Sequence, residues 1–215
     1  MQFFIDNFPL LRDAFLTTLS LSLLSGLLAL VLGTLLAAMR VSPIVPLRGL
    51  ATFYVETFRN TPLTVVFFFI IFGLPQIDFV VGFFTGAVLS VGLYTAAFVA
   101  EALRSGINAV GPGQAEAARA LGLTFGQSLR EIVLPQAFRT VVPPLGNVWI
   151  AMVKNTSIAA GFATTELAAM LPRLSNANAG ELTLILLAVV VGYMFITVPS
   201  AYAIHRTERR VVILR

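Results

Sequence analysis

One charged side chain interrupts a long apolar stretch of this sequence. Lys154 lies within the otherwise uncharged residues 140–165 and is followed by Asn155, Thr156 and Ser157. Inserting a charge at the centre of a bilayer costs about 2.5–3.5 kcal/mol, so such residues usually face a protein interior or a pathway. The ammonium group supplies positive potential for an anion, and the next three side chains supply donors and acceptors for carboxylate and ammonium groups. The pattern indicates reversible binding of a charged solute.

Structural explanations of the same residues stay open. Lys154 can reach the bilayer surface, or bond to carbonyls at a helix break near Pro143 and Pro144. Asn, Thr and Ser side chains also hold membrane helices together by hydrogen bonds. Thr61 is a further candidate for the pathway, as a gate or hinge beside Pro62. The simpler interpretation of Pro62 is that it begins a helix, where proline is well tolerated.

Covalent and metal chemistry are not expected from this chain. It contains no cysteine and one histidine, His205, so neither a thiolate site nor a histidine cluster can form. Its single lysine, Lys154, is followed by Asn155, which excludes a G-x-x-x-x-G-K-[ST] phosphate loop. We therefore expect no catalytic residue, no metal site and no cofactor in this chain, and any ATP chemistry would belong to a partner.

The composition is that of an integral membrane protein. Of the 215 residues, 58% are hydrophobic and 11% are charged, against about 25% charged residues in soluble domains. The mean hydropathy is +0.91. The net charge is +4, but the basic residues are scattered between apolar runs, so nucleic-acid binding is not expected.

Five uncharged or nearly uncharged runs are long enough to cross a bilayer, which takes about 20 helical residues. None shows the strict alternation of a barrel strand, so we predict an all-α protein with five transmembrane helices. The runs are Ala14–Met39, Asn60–Ile77, Phe79–Ala100, Thr140–Thr165 and Leu182–Ile204.

Arginine placement predicts the orientation. With five crossings, eleven arginines fall on one side and two on the other, so the amino terminus is expected outside and the carboxyl terminus in the cytoplasm. We predict an external lead (1–13), a single transmembrane domain (14–205) and a basic cytoplasmic tail (206–215). The cytoplasmic segment of about 101–139 is the largest polar stretch, which indicates a cytoplasmic partner.

This segment is predicted to form a helix-turn-helix. Gly111–Gly113 precedes an alanine-rich helix that exposes Ala117 and Ala118, and Gly122 supplies a left-handed cap. A second helix is expected from Thr124 to Leu134, stopped by Pro135. On composition alone, the pair could equally lie on the membrane surface.

The spacing of this segment resembles the coupling-loop motif of permease subunits of bacterial ABC importers. That motif is E-A-A, three residues, G, nine residues, I-x-L-P, and it matches Glu116, Ala117, Ala118, Gly122, Ile132, Leu134 and Pro135. Three other segments resemble the polar amino acid permeases within that family: Glu56–Leu63, Glu101–Ile107 and Lys154–Ile158. Met39–Pro43 and Arg59–Leu63 are most similar to actinobacterial glutamate permeases.

The resemblance implies a type I ABC importer permease fold in a bacterial plasma membrane. It implies two cytoplasmic ATPase subunits that bind ATP and Mg²⁺, a second permease subunit (identical or paralogous) and an external substrate-binding protein. The translocated solute would be a polar amino acid. Because some relatives carry Asp where this chain has Asn155, an acidic or neutral substrate such as glutamate is favoured. The alternatives are an ATP-independent carrier or channel, and a membrane anchor with no transport path.

Three smaller predictions concern packing and charge. Gly26, Ala29, Gly33 and Ala37 form a small-residue stripe that indicates close helix packing, with the second membrane subunit as one possible partner. Two acid–arginine pairs share a helix face by their spacing, and these are Glu56 with Arg59 and Glu101 with Arg104. Glu166 is a weaker candidate for the outer mouth of a pathway.

Overall fold

The computed structural model describes residues 2–211. Within this range the chain is helical and contains no strand, which confirms the all-α prediction. The described residues form nine α-helices, in order α1 (Gln2–Arg40), α2 (Val45–Arg59), α3 (Leu63–Phe68), α4 (Phe83–Asn108), α5 (Pro112–Ala120), α6 (Phe125–Gln127), α7 (Leu134–Asn155), α8 (Met170–Ala177) and α9 (Leu182–Val211). π-Helical turns occupy Phe69–Gly73 and Ser128–Val133, and 3-10 segments occupy Leu74–Ile77, Thr156–Phe162, Leu167–Ala169 and Ala179–Glu181.

Among the described residues, three helices are long and apolar enough to cross a membrane. They are Phe3–Arg40, Phe83–Asn108 and Leu182–Arg209. A fourth crossing results if α2 and the helical segment Leu63–Ile77, which meet at a bend of 105°, are taken together. The break falls beside Pro62, which caps α3 as the simpler interpretation of that proline predicts.

The fourth uncharged run, Thr140–Thr165, does not form one continuous α-helix. Its helix α7 passes through Pro143 and Pro144 without a break and ends at Asn155, where a 3-10 segment begins. The helix break predicted near the two prolines therefore lies more than two turns further along the chain. The count of five crossings stays a prediction.

Helix α1 is longer than a bilayer requires. Its 39 residues extend about 58 Å, against a hydrocarbon core of about 30 Å. The predicted external lead (1–13) forms the beginning of this same helix, with Pro9 inside it. The lead is thus helical and continuous with the first predicted crossing.

The small-residue stripe of α1 packs within this chain. A Cβ atom on Gly33 would lie 2.6 Å from the Cβ of Val99 and 2.8 Å from the carbonyl oxygen of Ala96, both on α4. A Cβ on Gly26 would overlap Trp149 of α7. The close packing is confirmed, and its partners are α4 and α7 of the same chain, because the missing side chains allow these backbones to approach.

Both ends of the bundle have a distinct core. At one end, which we call the arginine end because Arg40, Arg59 and Arg104 meet there, alanines of α1, α2 and α4 pack together. Glu101 lies 2.5 Å from Arg104, which confirms that pair. Glu56 lies 3.9 Å from Arg40, whereas its predicted pair with Arg59 is not formed among the described contacts.

At the opposite end, α1, α8 and α9 enclose a second apolar cluster that includes Met170, Leu174 and Ile185. Most of the segment Met170–Gly180 forms α8, although it contains Pro172 and Gly180, because its apolar side chains pack against α9. A tight turn surrounds Pro75, and Asp78 ends it with a φ of 63°.

Candidate coupling loop and substrate pathway

The first half of the predicted coupling loop folds as expected. Pro112 begins α5, where its missing N–H costs no hydrogen bond. The helix ends before Gly122, whose φ is +84°. The N–H groups of Gly122 and Leu123 donate to the carbonyls of Arg119 (2.9 Å) and Ala118 (3.1 Å), which closes the helix. The left-handed cap at Gly122 is confirmed.

The second half differs from the prediction. Thr124 caps a new helical segment, with its N–H and hydroxyl donating to Gln127 Oε1 at 2.9 and 3.0 Å. The helix does not stop at Pro135. A π-helical turn, Ser128–Val133, leads directly into α7, and Pro135 lies in the first turn of that helix. Proline is tolerated where a helix begins. Pro135 therefore lies where the π-helical turn passes into α7, and no helix ends there.

Most of the motif residues lie at the surface. The exposed ones are Glu116, Ala117, Gly122, Leu134 and Pro135, and Ile132 is half-buried. Ala118 is only 4% exposed, so the prediction that both alanines are accessible is wrong for this one. Helix α5 packs against the π-helical turn, and a small side chain at Ala118 suits that contact.

Glu116 on α5 and Leu121, directly after the end of α5, are both exposed. Within the described part of the chain, the Glu116 side chain has no hydrogen bond or ion pair. Leu121 is 82% exposed, which makes it the most exposed of the large apolar side chains described. Sequence reasoning missed Leu121, although an isolated leucine in a polar loop was a usable signal. An accessible carboxylate and an accessible apolar group in one short segment are suited to docking on another protein.

The two stems of the loop are joined to each other. The Thr140 hydroxyl on α7 donates to the Gly106 carbonyl on α4 at 2.9 Å. A Cβ on Gly106 would overlap Val141, so α4 and α7 touch at this point. Gln136 Nε2 donates to Gln114 Oε1 at 3.4 Å, which links α7 to α5. Helix α5 is therefore linked to α7, and α7 to α4.

The four residues beginning at Lys154 lie at the end of α7. The Lys154 side chain is exposed, and Asn155 is half-buried. Thr156 is fully buried, and its hydroxyl donates to the Val153 carbonyl at 2.7 Å. The Ser157 hydroxyl donates to the Lys154 carbonyl at 2.8 Å. Thr156 is thus placed in the core, and Lys154, Asn155 and Ser157 are the more accessible groups.

Thr61 and the Lys154 segment belong to neighbouring elements. The Thr61 hydroxyl donates to the Thr57 carbonyl at 2.8 Å, next to the bend between α2 and α3. Further along α3, the Phe67 ring stacks on Phe162 with centroids 4.8 Å apart. Phe162 ends the 3-10 segment that follows Asn155. The structure therefore packs α3 against the segment that follows Lys154.

Glu166 is buried and is not placed at an accessible mouth. It is 0% exposed and accepts hydrogen bonds from Thr18 of α1 (3.3 Å), the Ala169 N–H (3.0 Å) and Tyr193 of α9. Burial raises the pKa of the Glu166 carboxyl, and the hydrogen bonds from Tyr193 and the backbone act in the opposite direction. The Glu166 side chain caps the 3-10 segment Leu167–Ala169 by accepting a hydrogen bond from the Ala169 N–H, which holds the carboxylate inside the protein.

A cleft of about 610 Å³ lies between α1, α4, α7 and α9. Its lining is predominantly apolar and includes Leu30, Val99, Leu145, Trp149 and Met152. The predicted pathway residues do not line this cleft. It is therefore distinct from the polar Lys154 segment.

The chain matches, over residues 5–213, the protein family described as binding-protein-dependent transport system inner membrane component. The chain belongs to this family. Its relatives include the glutamate transport system permease protein GluC of Corynebacterium glutamicum, which is 42% identical over 97% of this chain and 96% of that protein. The probable glutamine ABC transporter permease protein GlnM of Bacillus subtilis is 37% identical over 95% of this chain and 94% of that protein.

Solved structures agree with this membership. A crystal structure of an amino acid ABC transporter with histidines has a TM-score of 0.88 and 31% identity, and the match covers 96% of each chain. An inward-facing structure of the methionine ABC transporter MetNI shares the fold, with a TM-score of 0.73 and 22% identity. The predicted importer permease fold, the homology to amino acid ABC importer permeases and the membrane location are confirmed. The two relatives from Corynebacterium glutamicum and Bacillus subtilis are named permease proteins.

Proposed function

We propose that this chain translocates glutamate as the permease subunit of an ATP-driven importer. The observation that carries this proposal is the full-length similarity to glutamate permeases of two Corynebacterium species, each 42% identical over 97% of this chain. An exposed lysine beside a neutral Asn155 supports it, because an anionic substrate gains from positive potential and meets no opposing carboxylate there.

The partners are those that the family implies. Two ATPase subunits on the cytoplasmic side bind ATP and Mg²⁺, a second permease subunit completes the membrane assembly, and an external binding protein delivers the amino acid. The amino terminus faces outward, and the loop from α4 to α7 faces the ATPases. The meeting of Arg40, Arg59 and Arg104 at one end of the bundle supports this orientation.

Coupling runs through α5. Glu116 makes charge-assisted hydrogen bonds to a basic residue or to backbone amides of the ATPase, and Leu121 fills an apolar part of the same groove. Because α5 is linked to both stems of the loop, closure of the ATPases moves α4 and α7 together. Helix α7 ends at Lys154 and Asn155, so this motion changes the position of the pathway residues.

Uptake into proteoliposomes tests this function. The vesicles contain this chain with its co-purifying subunits, and the binding protein is added outside. Labelled glutamate, glutamine, arginine and histidine are compared with and without ATP inside. We expect ATP-dependent uptake of glutamate in preference to the other three. Uptake of arginine or histidine alone would contradict the anion argument, and flux without ATP would favour the carrier or channel.

A further inference from the structure

One carboxylate at the arginine end is shared by three arginines. Glu101 of α4 lies 2.5 Å from Arg40 of α1 and 2.5 Å from Arg104, one turn further along α4. Arg59 of α2 lies 3.6 Å from the same carboxylate. We refer to Glu101 with Arg40, Arg59 and Arg104 as the Glu101 cluster. It connects three helices through a single side chain.

Two of the three arginines of this cluster stand at the ends of their helices. Arg40 is the last residue of α1, and Arg59 is the last residue of α2. The 105° bend between α2 and α3 follows Arg59 directly. The Arg59 guanidinium also lies 5.9 Å from the centre of the Phe98 ring on α4, within the range of a cation–π contact. Glu101 and Phe98 thus fix the bend to α4.

Partial burial gives the ion pairs of this cluster a better-defined geometry than pairs on the protein surface have. The side chains of Arg40 and Glu101 are 11% and 23% exposed. Exposed pairs contribute little, because water screens them and both side chains lose freedom. A partly buried pair with short, charge-assisted hydrogen bonds holds its geometry better, and loss of one partner leaves the other charge poorly solvated. Arg40 would then keep only its 3.9 Å contact with Glu56.

Glu101 also lies close to the coupling loop. Helix α4 continues from Glu101 to Asn108, and α5 begins at Pro112. On the other side of the cluster, the bend leads into α3, which stacks on Phe162 beyond the Lys154 segment. The chain itself joins α5 to α4 and α2 to α3, so together with the Glu101 cluster it connects the coupling loop to α3.

We propose that Glu101 is a positioning residue that transmits motion of the coupling loop to α1 and to the bend between α2 and α3. This inference rests on the proposed function, because the loop moves only if an ATPase docks on it. The carboxylate does not contact the substrate. It keeps α1, α2 and α4 moving as one body, so that motion of α4 reorients α3.

The first test is the amount of glutamate taken up per ATP hydrolysed in the reconstituted importer. Glu101→Gln keeps the size of the side chain and removes its charge. We expect uptake per ATP to fall about fivefold or more, within the usual range of coupling between sites, while the subunits still co-purify. Asp13→Asn is the matched control, because the Arg12–Asp13 pair (2.8 Å) is 57% and 64% exposed. An unchanged ratio with less protein in the membrane would show a purely structural role and overturn the proposal.

A milder variant guards against failure of assembly. Arg59→Gln removes only the 3.6 Å contact and the Phe98 contact and leaves the shorter pairs in place. We expect it to assemble and to lower uptake per ATP by a smaller factor. A normal ratio in Arg59→Gln would contradict transmission through the bend.

The second test does not depend on the substrate. The chain has no cysteine, so Thr64→Cys on α3 and Ser105→Cys on α4, both exposed, can be spin-labelled without background. We expect the distance between the labels to change when the assembled importer binds ATP, and this change to be lost in Glu101→Gln. A distance that never responds to ATP, or one that responds equally in Glu101→Gln, would overturn the proposal. If the parent importer shows the ATP-dependent distance change and Glu101→Gln loses it, but the parent takes up no glutamate, the proposed substrate is contradicted and the role of Glu101 is supported.

Discussion

Lys154 and Glu116 differ from most charged residues of this chain because their side chains serve no visible structural purpose. Both are exposed, and within the described part of the chain neither side chain has a hydrogen bond or ion pair. Glu101 and Glu166, in contrast, are held by several partners. Because Lys154 lies in the candidate pathway segment and Glu116 in the candidate coupling loop, we expect each charge to act on another molecule.

Replacing Lys154 by glutamine should lower glutamate uptake. Loss of one charge-assisted contact costs about 1.5–3 kcal/mol, which corresponds to a reduction of about tenfold or more. Lys154→Arg keeps the charge and should retain most of the uptake. Arg48→Gln, at an exposed position of α2, is the control. Uptake by Lys154→Gln equal to that of the parent would remove this residue from the pathway.

Charge reversal at Glu116 should uncouple the ATPase. In Glu116→Lys, attraction to a basic groove becomes repulsion, so stimulation of ATP hydrolysis by the loaded binding protein should fall at least tenfold. The measurement is stimulated minus basal hydrolysis in the reconstituted complex. Glu181→Lys, an exposed position just before α9, should behave like the parent. If Glu116→Lys retains full stimulation and transport, docking does not involve this carboxylate.

At the scale of elements, the coupling loop is a stiff unit and not an open connection. Helix α5 is closed by Gly122, and the second half continues without interruption into α7. The cap was predictable because a glycine after an alanine-rich helix is a local signal. The continuation was not, because Pro135 ends a helix in one context and begins one in another.

The cap at Gly122 can be tested by substitution. Gly122→Ala places a Cβ at a φ of +84°, which costs about 1–2 kcal/mol. We expect weaker stimulation of ATP hydrolysis and a lower thermal unfolding midpoint, and a smaller loss in Gly122→Asn, since asparagine tolerates this conformation better. Gly126→Ala is the control, because open space surrounds that position and its φ is not positive. Equal effects of Gly122→Ala and Gly126→Ala would contradict a specific role of the cap.

At the scale of the whole molecule, one buried or partly buried glutamate at each end of the bundle joins several helices. The Glu101 cluster connects α1, α2 and α4 at the arginine end. Glu166 connects α1 and α9 at the other end, and Thr18 also accepts a hydrogen bond from the Leu167 N–H at 3.0 Å. These polar contacts at both ends add to the close apolar packing that fixes the helices against one another.

Removal of the Glu166 carboxylate should destabilise the fold. Glu166→Leu leaves the Tyr193 hydroxyl without this acceptor, at about 1–3 kcal/mol for a buried group. The Ala169 N–H keeps the Glu166 backbone carbonyl as its acceptor, at 3.0 Å. We expect a clear drop in the thermal unfolding midpoint of the detergent-purified protein, and a smaller drop in Glu166→Gln, which keeps an acceptor. Glu181→Gln, exposed to solvent, should leave the midpoint unchanged. An unaltered midpoint in Glu166→Leu would show that the hydrogen bonds of the Glu166 carboxylate contribute no stability.

The sequence by itself determined the membrane class, the helical fold, and the helix with its glycine cap between α4 and α7. These follow from composition, from the absence of strand alternation and from short motifs, all of which are local properties of the chain. The local spacing also predicted the Glu101–Arg104 pair correctly, because both residues lie on one helix.

Only the tertiary structure decided which residues far apart in the chain meet. Thr18 and Glu166 are separated by 148 positions, and Arg40 and Glu101 by 61. No periodicity of the sequence indicates that the first pair is buried, or that Glu101 also gathers arginines from α1 and α2. Such contacts depend on how α1 packs along α4 and beside α9, which many side chains determine together. The positions of the charged groups that hold the bundle were therefore set by packing and not by spacing.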